Sequence, residues 1–310
     1  MLQIPTDVED DLLFKRDERS ELEVLQKGQR AFNVIVADDN TGDTDSIQEA
    51  INMLPANGGS VFIKAGIYPL LSTITINKAN VQLIGSGYGS KITTSLDIPM
   101  ISAIGYSHLI VDSLFLYGSG AGKTLNNGLY ISSSNRSVVM NCYFENIGNN
   151  SIYFYQSTDC IARENEISGC YLGILISATA TNCIIINNYV HSGSTGIHLL
   201  SSNNNFILNN ICSGLTAGDG INLTSADNIL IVGNICQSNN SDGIQIDNSD
   251  NCIIFNNICK SNSSKGIYLH NAVGAPNEDI IVNNICLLNT AAQIDITNGT
   301  DIKLSHNITE

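Results

Sequence analysis

Short apolar runs, separated by Asn, Ser, Gly and Asp, recur along this chain at a nearly fixed interval. The segment "GDGINLTSADNILIVGNICQS" (218–238) is followed by "SDGIQIDNSDNCIIFNNICKS" (241–261), which fills the same places in the same order. The glycine that opens each Gly-Ile-x-Leu run falls at Gly128, Gly173, Gly196, Gly220, Gly243 and Gly266, with Ser151 in the gap, at steps of 22–24 residues. An Asn ahead of the last run of each unit repeats likewise, at Asn165, Asn188, Asn210, Asn234, Asn257, Asn284 and Asn307. One longer step of 27 residues holds the insertion "NAVGAPNED". A fixed period of this length means stacked supersecondary units. The units are rich in Ile, Val, Asn, Ser and Gly and poor in Ala, Glu and Lys, so propensity favours strands and turns over helices. Roughly 23 residues accommodate three short strands with turns, one rung of a parallel β-helix with rungs about 4.8 Å apart. The Leu/Asn pattern and helical segment of a leucine-rich repeat are missing.

Within a rung, strand alternation sends the Ile and Leu of Gly-Ile-x-Leu inward and the second and fourth residues after the Gly outward. Cys212, Cys236, Cys259 and Cys286 sit two residues after the marker Asn; Cys160, Cys183 and Cys252 sit five before it, a place assigned to Phe206 and Ile229 in other rungs. Cys that alternates with apolar residues reads as a small inward hydrophobe, and no Cys-x-x-Cys pair suggests zinc. The marker Asn side chains are expected to bond one another in a ladder.

The first third is less periodic. "DDNTGDTDSIQEAINMLPANGGSVFIKAGIY" predicts a short helix over about 45–54 with Asp or Thr at its start, a Gly-Gly turn, and then a strand. The Asp-Thr/Ser-x-x-Ile-Gln-x-Ala-Ile pattern over Asp43 to Ile51, the Gly-Gly-x-Val of Gly58 to Val61, and Gly66 to Tyr68 resemble the N-terminal cap and first strand of the pectate-lyase-like right-handed β-helix superfamily. "ANVQLIGSG" (79–87) continues the likeness. The resemblance implies an all-β, right-handed parallel β-helix over 34–310, entered from about Gly59, with residues 1–33 as a connector or arm. It fixes function weakly, because the superfamily includes lyases, hydrolases, epimerases, tailspikes and non-enzymes.

One face carries candidate chemistry. Its outward residues run Tyr130 and Ser132, Tyr153 and Tyr155, Leu175 and Ser177, His198 and Leu200, Asn222 and Thr224, Gln245 and Asp247, Tyr268 and His270. Thr195, Asp219, Asp242 and Lys265 precede the Gly. Aromatic rings suit sugar faces, and amides, carboxylates and imidazoles suit hydroxyls. Tyr153, Tyr155, His198, Gln245, Lys265 and Tyr268 are therefore the candidate substrate-binding residues. Asp219 and Asp242 hold one turn position in adjacent rungs, about 5 Å apart, within the range for a glycosidase acid pair. Asp247 and His270 stack as a base with its orienter. Asp-Gly is equally ordinary turn chemistry, and the Asp stack also suits Ca²⁺.

Comparison with enzymes of the superfamily leaves each catalytic set incomplete. Asp219 and Asp242 match two polygalacturonase-type positions. The Asp-Asp doublet and Arg-Ile-Lys are absent, however, and Lys265 stands where the Gly-His-Gly histidine would be. Of the Arg or Lys that serves pectate lyases as base, the face offers only Lys265. The Tyr-Gly-Phe-Asp-Pro-His segment of alginate epimerases does not occur.

The next strand predicts a different surface. "CIII" (183–186), "ILIV" (229–232) and "CIIF" (252–255) are apolar throughout, so either parity leaves an apolar stripe outside. With Cys inward, the expected exposed set is Ile184, Ile186, Ile207, Leu230, Val232, Ile253 and Phe255. Such a stripe marks a contact surface, covered by residues 1–30 or by other copies, as in the trimers of phage tailspikes.

Net charge narrows the partners. With a formal charge of −15 and 14 Lys and Arg, unclustered, the chain lacks the basic patch that nucleic acid or an anionic membrane requires. No apolar run reaches the roughly 18 residues of a membrane span, and the acidic start lacks a signal-peptide pattern. The expectation is synthesis in a cytoplasm, with a virion surface as destination if phage-encoded. Two readings stand: a glycan-contacting, tailspike- or fibre-like module, and a polysaccharide hydrolase, lyase or uronate epimerase.

Overall fold

A computed structural model describes residues 33–120, 122–271, 278–298 and 301–309; the predicted arm over 1–33 lies outside the described residues except for Asn33. The chain winds into a parallel β-helix with three sheets of 12, 10 and 11 strands. One rung shows the order: Leu172–Ser177 in the first sheet (the Gly sheet), Ile184–Ile186 in the second (the stripe sheet), and Tyr189–His191 in the third (the Cys sheet). Each strand pairs in parallel with its equivalent one rung on, as in Ile197↔Ile221 and Ile221↔Ile244.

The core is a set of stacked columns. Ile174, Ile197, Ile221, Ile244 and Ile267 are all fully buried, and so are Cys212, Cys236, Cys259 and Cys286. All nine cysteines are free and buried, as inward hydrophobes should be. Burial pushes the thiols of Cys142 and Cys170 up to about 12 and about 11, so neither supplies a thiolate near neutral pH.

Two polar devices fix the register. The marker Asn amides form a continuous ladder, Asn165 to Asn188, Asn210, Asn234, Asn257, Asn284 and Asn307, each Nδ2 donating to the next Oδ1 at 2.9–3.1 Å. The marker glycines stack where a side chain would strike the next rung, although Ser151 is accommodated in one rung. A Cβ on Gly196 would lie 2.2 Å from the Gly220 carbonyl oxygen, and one on Gly220 2.6 Å from that of Gly243.

Three expectations are corrected. The solenoid begins earlier than Gly59: Asn33–Val36 already pairs with Gly59–Ile63, because Val34 and Val36 alternate inward. The helix, α1, spans Ile47–Met53, and its N-cap is Ser46, whose side chain accepts from the Glu49 N–H, rather than Asp or Thr. Phe206 does not replace the inward Cys. It pairs with Ile184 and points out, while Asn205 takes the inward place and accepts from the Cys183 N–H. A one-residue offset reverses every side chain of a strand, so Ile207 is buried and Phe206 and Leu208 face outward.

The outward side of the stripe sheet is accordingly Ile184, Ile186, Phe206, Leu208, Leu230, Val232, Ile253, Phe255, Ile280 and Val282, apolar over five rungs. It is bounded by Arg163 in the preceding rung and Lys303 in the following one.

Candidate functional site

The Gly sheet sends its side chains outward in two columns. Tyr153, Leu175, His198, Asn222, Gln245 and Tyr268 lie in strict register in one, and Tyr155, Ser177, Leu200, Thr224, Asp247 and His270 in the other. The strands alternate, so Ile and Leu take the core and these residues take the surface. At a rung spacing of about 4.8 Å, the step from Tyr153 to Tyr268 covers about 24 Å.

Aromatic groups stand near both ends of this row. Tyr130, Tyr153 and Tyr155 form one cluster, with ring centroids 5.4–6.3 Å apart. The Tyr153 hydroxyl lies 2.9 Å from Ser177 Oγ, and burial raises its pKa. At the other end Tyr268 and His270 tilt together at 5.9 Å. Lys265 Nζ sits 3.1 Å from the Tyr268 ring centroid and 2.9 Å from Asp295 Oδ2, so its charge is already matched. Asp295, an outward residue one rung beyond Tyr268, had no part in the sequence reading of this face.

Between the clusters, past Leu175 and Leu200, the surface is polar and interlinked. Asn222 Nδ2 donates to Gln245 Oε1 at 3.0 Å and to Asp219 Oδ2 at 2.7 Å, and Thr224 Oγ1 donates to Asn222 Oδ1 at 3.0 Å. His198 lies 3.4 Å from Thr224 Oγ1. Burial lowers its pKa, which the Asp219 charge opposes.

The two aspartates expected as an exposed acid pair are buried, at 6% and 5% exposure. Asp219 Oδ1 accepts from the Asp242 backbone N–H at 2.9 Å, and Asp242 Oδ1 accepts from the Lys265 N–H at 2.7 Å. Each carboxylate thus ties its turn to the next rung, the structural work that Asp performs in turns. Sequence position fixes the angle of a side chain around the solenoid but not its depth, which is set here by those amide donors. Asp247 and His270 do come together: Asp247 Oδ1 lies 3.0 Å from His270 Nδ1, with the imidazole 42% exposed. Among the described residues no group of three or more His, Cys, Asp or Glu is placed to hold a metal ion.

Comparison with known proteins agrees with this architecture. The family model described as "Right handed beta helix region" matches residues 127–278 and 172–310, and the Pectinesterase model matches 33–185. A probable pectinesterase/pectinesterase inhibitor of Arabidopsis thaliana is 30% identical over 133 residues, 39% of this chain and 25% of that protein. Pectinesterase 2 of Citrus sinensis is 38% identical over 74 residues, 23% of this chain and 14% of that protein. The chain therefore spans a quarter or less of the length of these curated relatives. Among solved structures, the A-module of mannuronan C-5 epimerase AlgE6 of Azotobacter vinelandii superposes with a TM-score of 0.63 at 13% identity, covering 89% of this chain and 96% of that one. The catalytic domain of a GH87 alpha-1,3-glucanase gives 0.65 at 11%, covering 91% and 66%. At such identities the structures share the fold, and the family match, which takes in more than half of the sequence, shows that this chain belongs to the right-handed β-helix family.

Proposed function

We propose that the protein binds a polysaccharide lengthwise along the outward Gly sheet, and that the glycan is neutral rather than a polyuronate. The observation that carries this reading is the pair of aromatic clusters about 24 Å apart, with Leu175, Leu200 and a linked polar stretch from His198 to Gln245 between them. A monosaccharide fills only part of such a row, whereas a chain fills it. The names of the pectinesterase relatives and of the epimerase and glucanase neighbours support a polysaccharide as ligand. The charge argues for neutrality. The chain carries −15, and Lys265, the single cation of this row, is paired with Asp295. Binding to a panel of neutral and uronic polysaccharides tests the reading, with assays for new reducing ends and unsaturated products run alongside. Tyr153→Ala and Tyr268→Ala should each weaken binding by about ten-fold, the cost of one stacking contact. Unchanged affinity in both variants rejects the face, and equal binding of polyuronates rejects the charge argument.

The Asp247–His270 contact favours a second reading, an enzyme that uses this pair for proton transfer. Asp247→Asn should then lower turnover by about 10²–10⁴-fold with binding retained. The apolar stripe supports association into a trimer, as in a fibre- or tailspike-like assembly.

A further inference from the structure

The Cys sheet carries, in its early rungs, an aromatic array that the regular rungs lack. Phe115, Tyr143 and Glu166 are consecutive in one outward column. Tyr88, from the tight turn Gly87–Gly89, folds over them. Its ring stacks on Tyr143 with centroids 3.7 Å apart and meets Phe115 edge-on at 5.3 Å. Phe115, outward by register, is thereby reduced to 7% exposure, whereas Tyr88 keeps 57% and presents a free surface to solvent. These rings wall a cavity of about 210 Å³, closed at the side by Glu145, Glu166 and Ser168.

The cavity is electronegative. Among the described residues Glu145 has no salt bridge, and the one ion-pair contact of Glu166 is with His191, whose Nε2 lies 3.5 Å away; Glu166 also accepts from the Tyr88 hydroxyl. Burial first, then the charge of Glu166 and more weakly that of Glu145, raises the Tyr88 pKa. Aromatic faces attract cations, and this array already holds one: Lys91 Nζ lies 4.7 Å from the Phe115 centroid and 4.3 Å from that of Tyr117. The side of the array that faces Glu145 and Glu166 has aromatic and carboxylate groups but no ammonium of its own.

We propose that this cavity is a second saccharide site, selective for a sugar unit bearing a free ammonium, a hexosamine. The sugar face stacks on the exposed side of Tyr88, and the ammonium lies between Glu145 and Glu166. An N-acetylated unit lacks the charge, and a uronate is repelled. The site lies on a different sheet from the Tyr153–Tyr268 row and does not depend on it.

The test is titration calorimetry with three probes: the free-amine disaccharide of glucosamine, its N,N′-diacetylated counterpart, and choline as a bare organic ammonium. The free-amine disaccharide should bind tightest of the three. Glu145→Gln, Glu166→Gln and Tyr88→Ala should each weaken it by about ten-fold, as expected for loss of one charge-assisted or stacking contact. The two Gln variants keep shape, and a circular dichroism spectrum like the parent's shows that the fold is kept. Asp159→Asn, which removes an exposed charge on the stripe-sheet side, should leave the affinity unchanged. The proposal is overturned if the diacetylated disaccharide or choline binds as tightly, if the free-amine disaccharide does not bind, or if the Gln variants bind like the parent. A loss in Asp159→Asn equal to that in the Gln variants also overturns it, since that would report only general attraction to an acidic protein.

Discussion

Replacing Asp219 measures whether its carboxylate is a fastener or a reagent. In the folded protein Oδ1 accepts from the buried Asp242 N–H at 2.9 Å and Oδ2 from Asn222 Nδ2 at 2.7 Å. Asp219→Ala orphans the Asp242 amide, and a buried donor left without a partner costs about 1–3 kcal/mol. Asn222 keeps its bond to Gln245 and adds little. A small void and the loss of a charge-assisted acceptor bring the expected cost to about 2–3 kcal/mol. Asp219→Asn should cost less, about 1 kcal/mol, because its oxygen can still serve the Asp242 amide. Its new NH₂ then opposes that of Asn222, which cannot turn away without breaking its bonds to Gln245 and Thr224. Urea midpoints give the totals, and hydrogen exchange at the Asp242 amide localises them; exchange there should accelerate in the Ala variant and much less in the Asn variant. A cost under about 0.5 kcal/mol, with Asp242 exchange at the parent rate, would refute the structural role and return the carboxylate to the candidate reagents.

Other consequences follow from the ladder, the half-buried imidazole of His198 and the stripe. Asn234→Ala removes bonds to Asn210, Asn257 and the Ile207 carbonyl inside the stack and should cost about 2–4 kcal/mol. Asn307→Ala, on the last described rung, where the site is only half-buried, should cost about 1 kcal/mol; equal urea midpoints for the two would contradict the ladder's role. His198, with its pKa held below the ordinary 6.5 by burial, binds protons less readily folded than unfolded. Stability should therefore fall as pH drops through about 6.5 toward the lower folded value, and His198→Gln should flatten that slope. Ile253→Asp places a charge in the middle of the stripe and should convert a sedimenting trimer into monomer, whereas a parent that sediments as a monomer removes the self-association proposal.

The periodic part of the fold was legible because its determinants repeat. A Gly that must lie against the next carbonyl, an Asn that must face the next Asn, and an Ile that must enter the core each recur every 22–24 residues apart from the one insertion, so one rung explains its neighbours. A second, shorter ladder is not legible in the same way: the Asn239 backbone N–H donates to Asn262 Oδ1, and the Asn262 and Asn289 amides donate to Asn289 Oδ1 and Gln293 Oε1. It spans only three rungs and ends on a different residue type, too little repetition to stand out from an Asn-rich background. The candidate Gly face was legible in direction but not in depth, since nothing in an Asp-Gly pair tells whether its carboxylate meets water or an amide of the next turn. The Tyr88 cavity had no signal at all. Its rings come from residues 88, 115 and 143, one of them on an irregular turn and the other two 28 residues apart, outside the 22–24-residue period, so no regular spacing relates them. Such a site arises where the repeat is broken, because a regular rung adds a single residue to each column, whereas an inserted turn can lay an aromatic ring across several rungs at once. In a solenoid the periodic positions therefore report what holds the rungs together, and the departures from period are where ligand selectivity is to be sought.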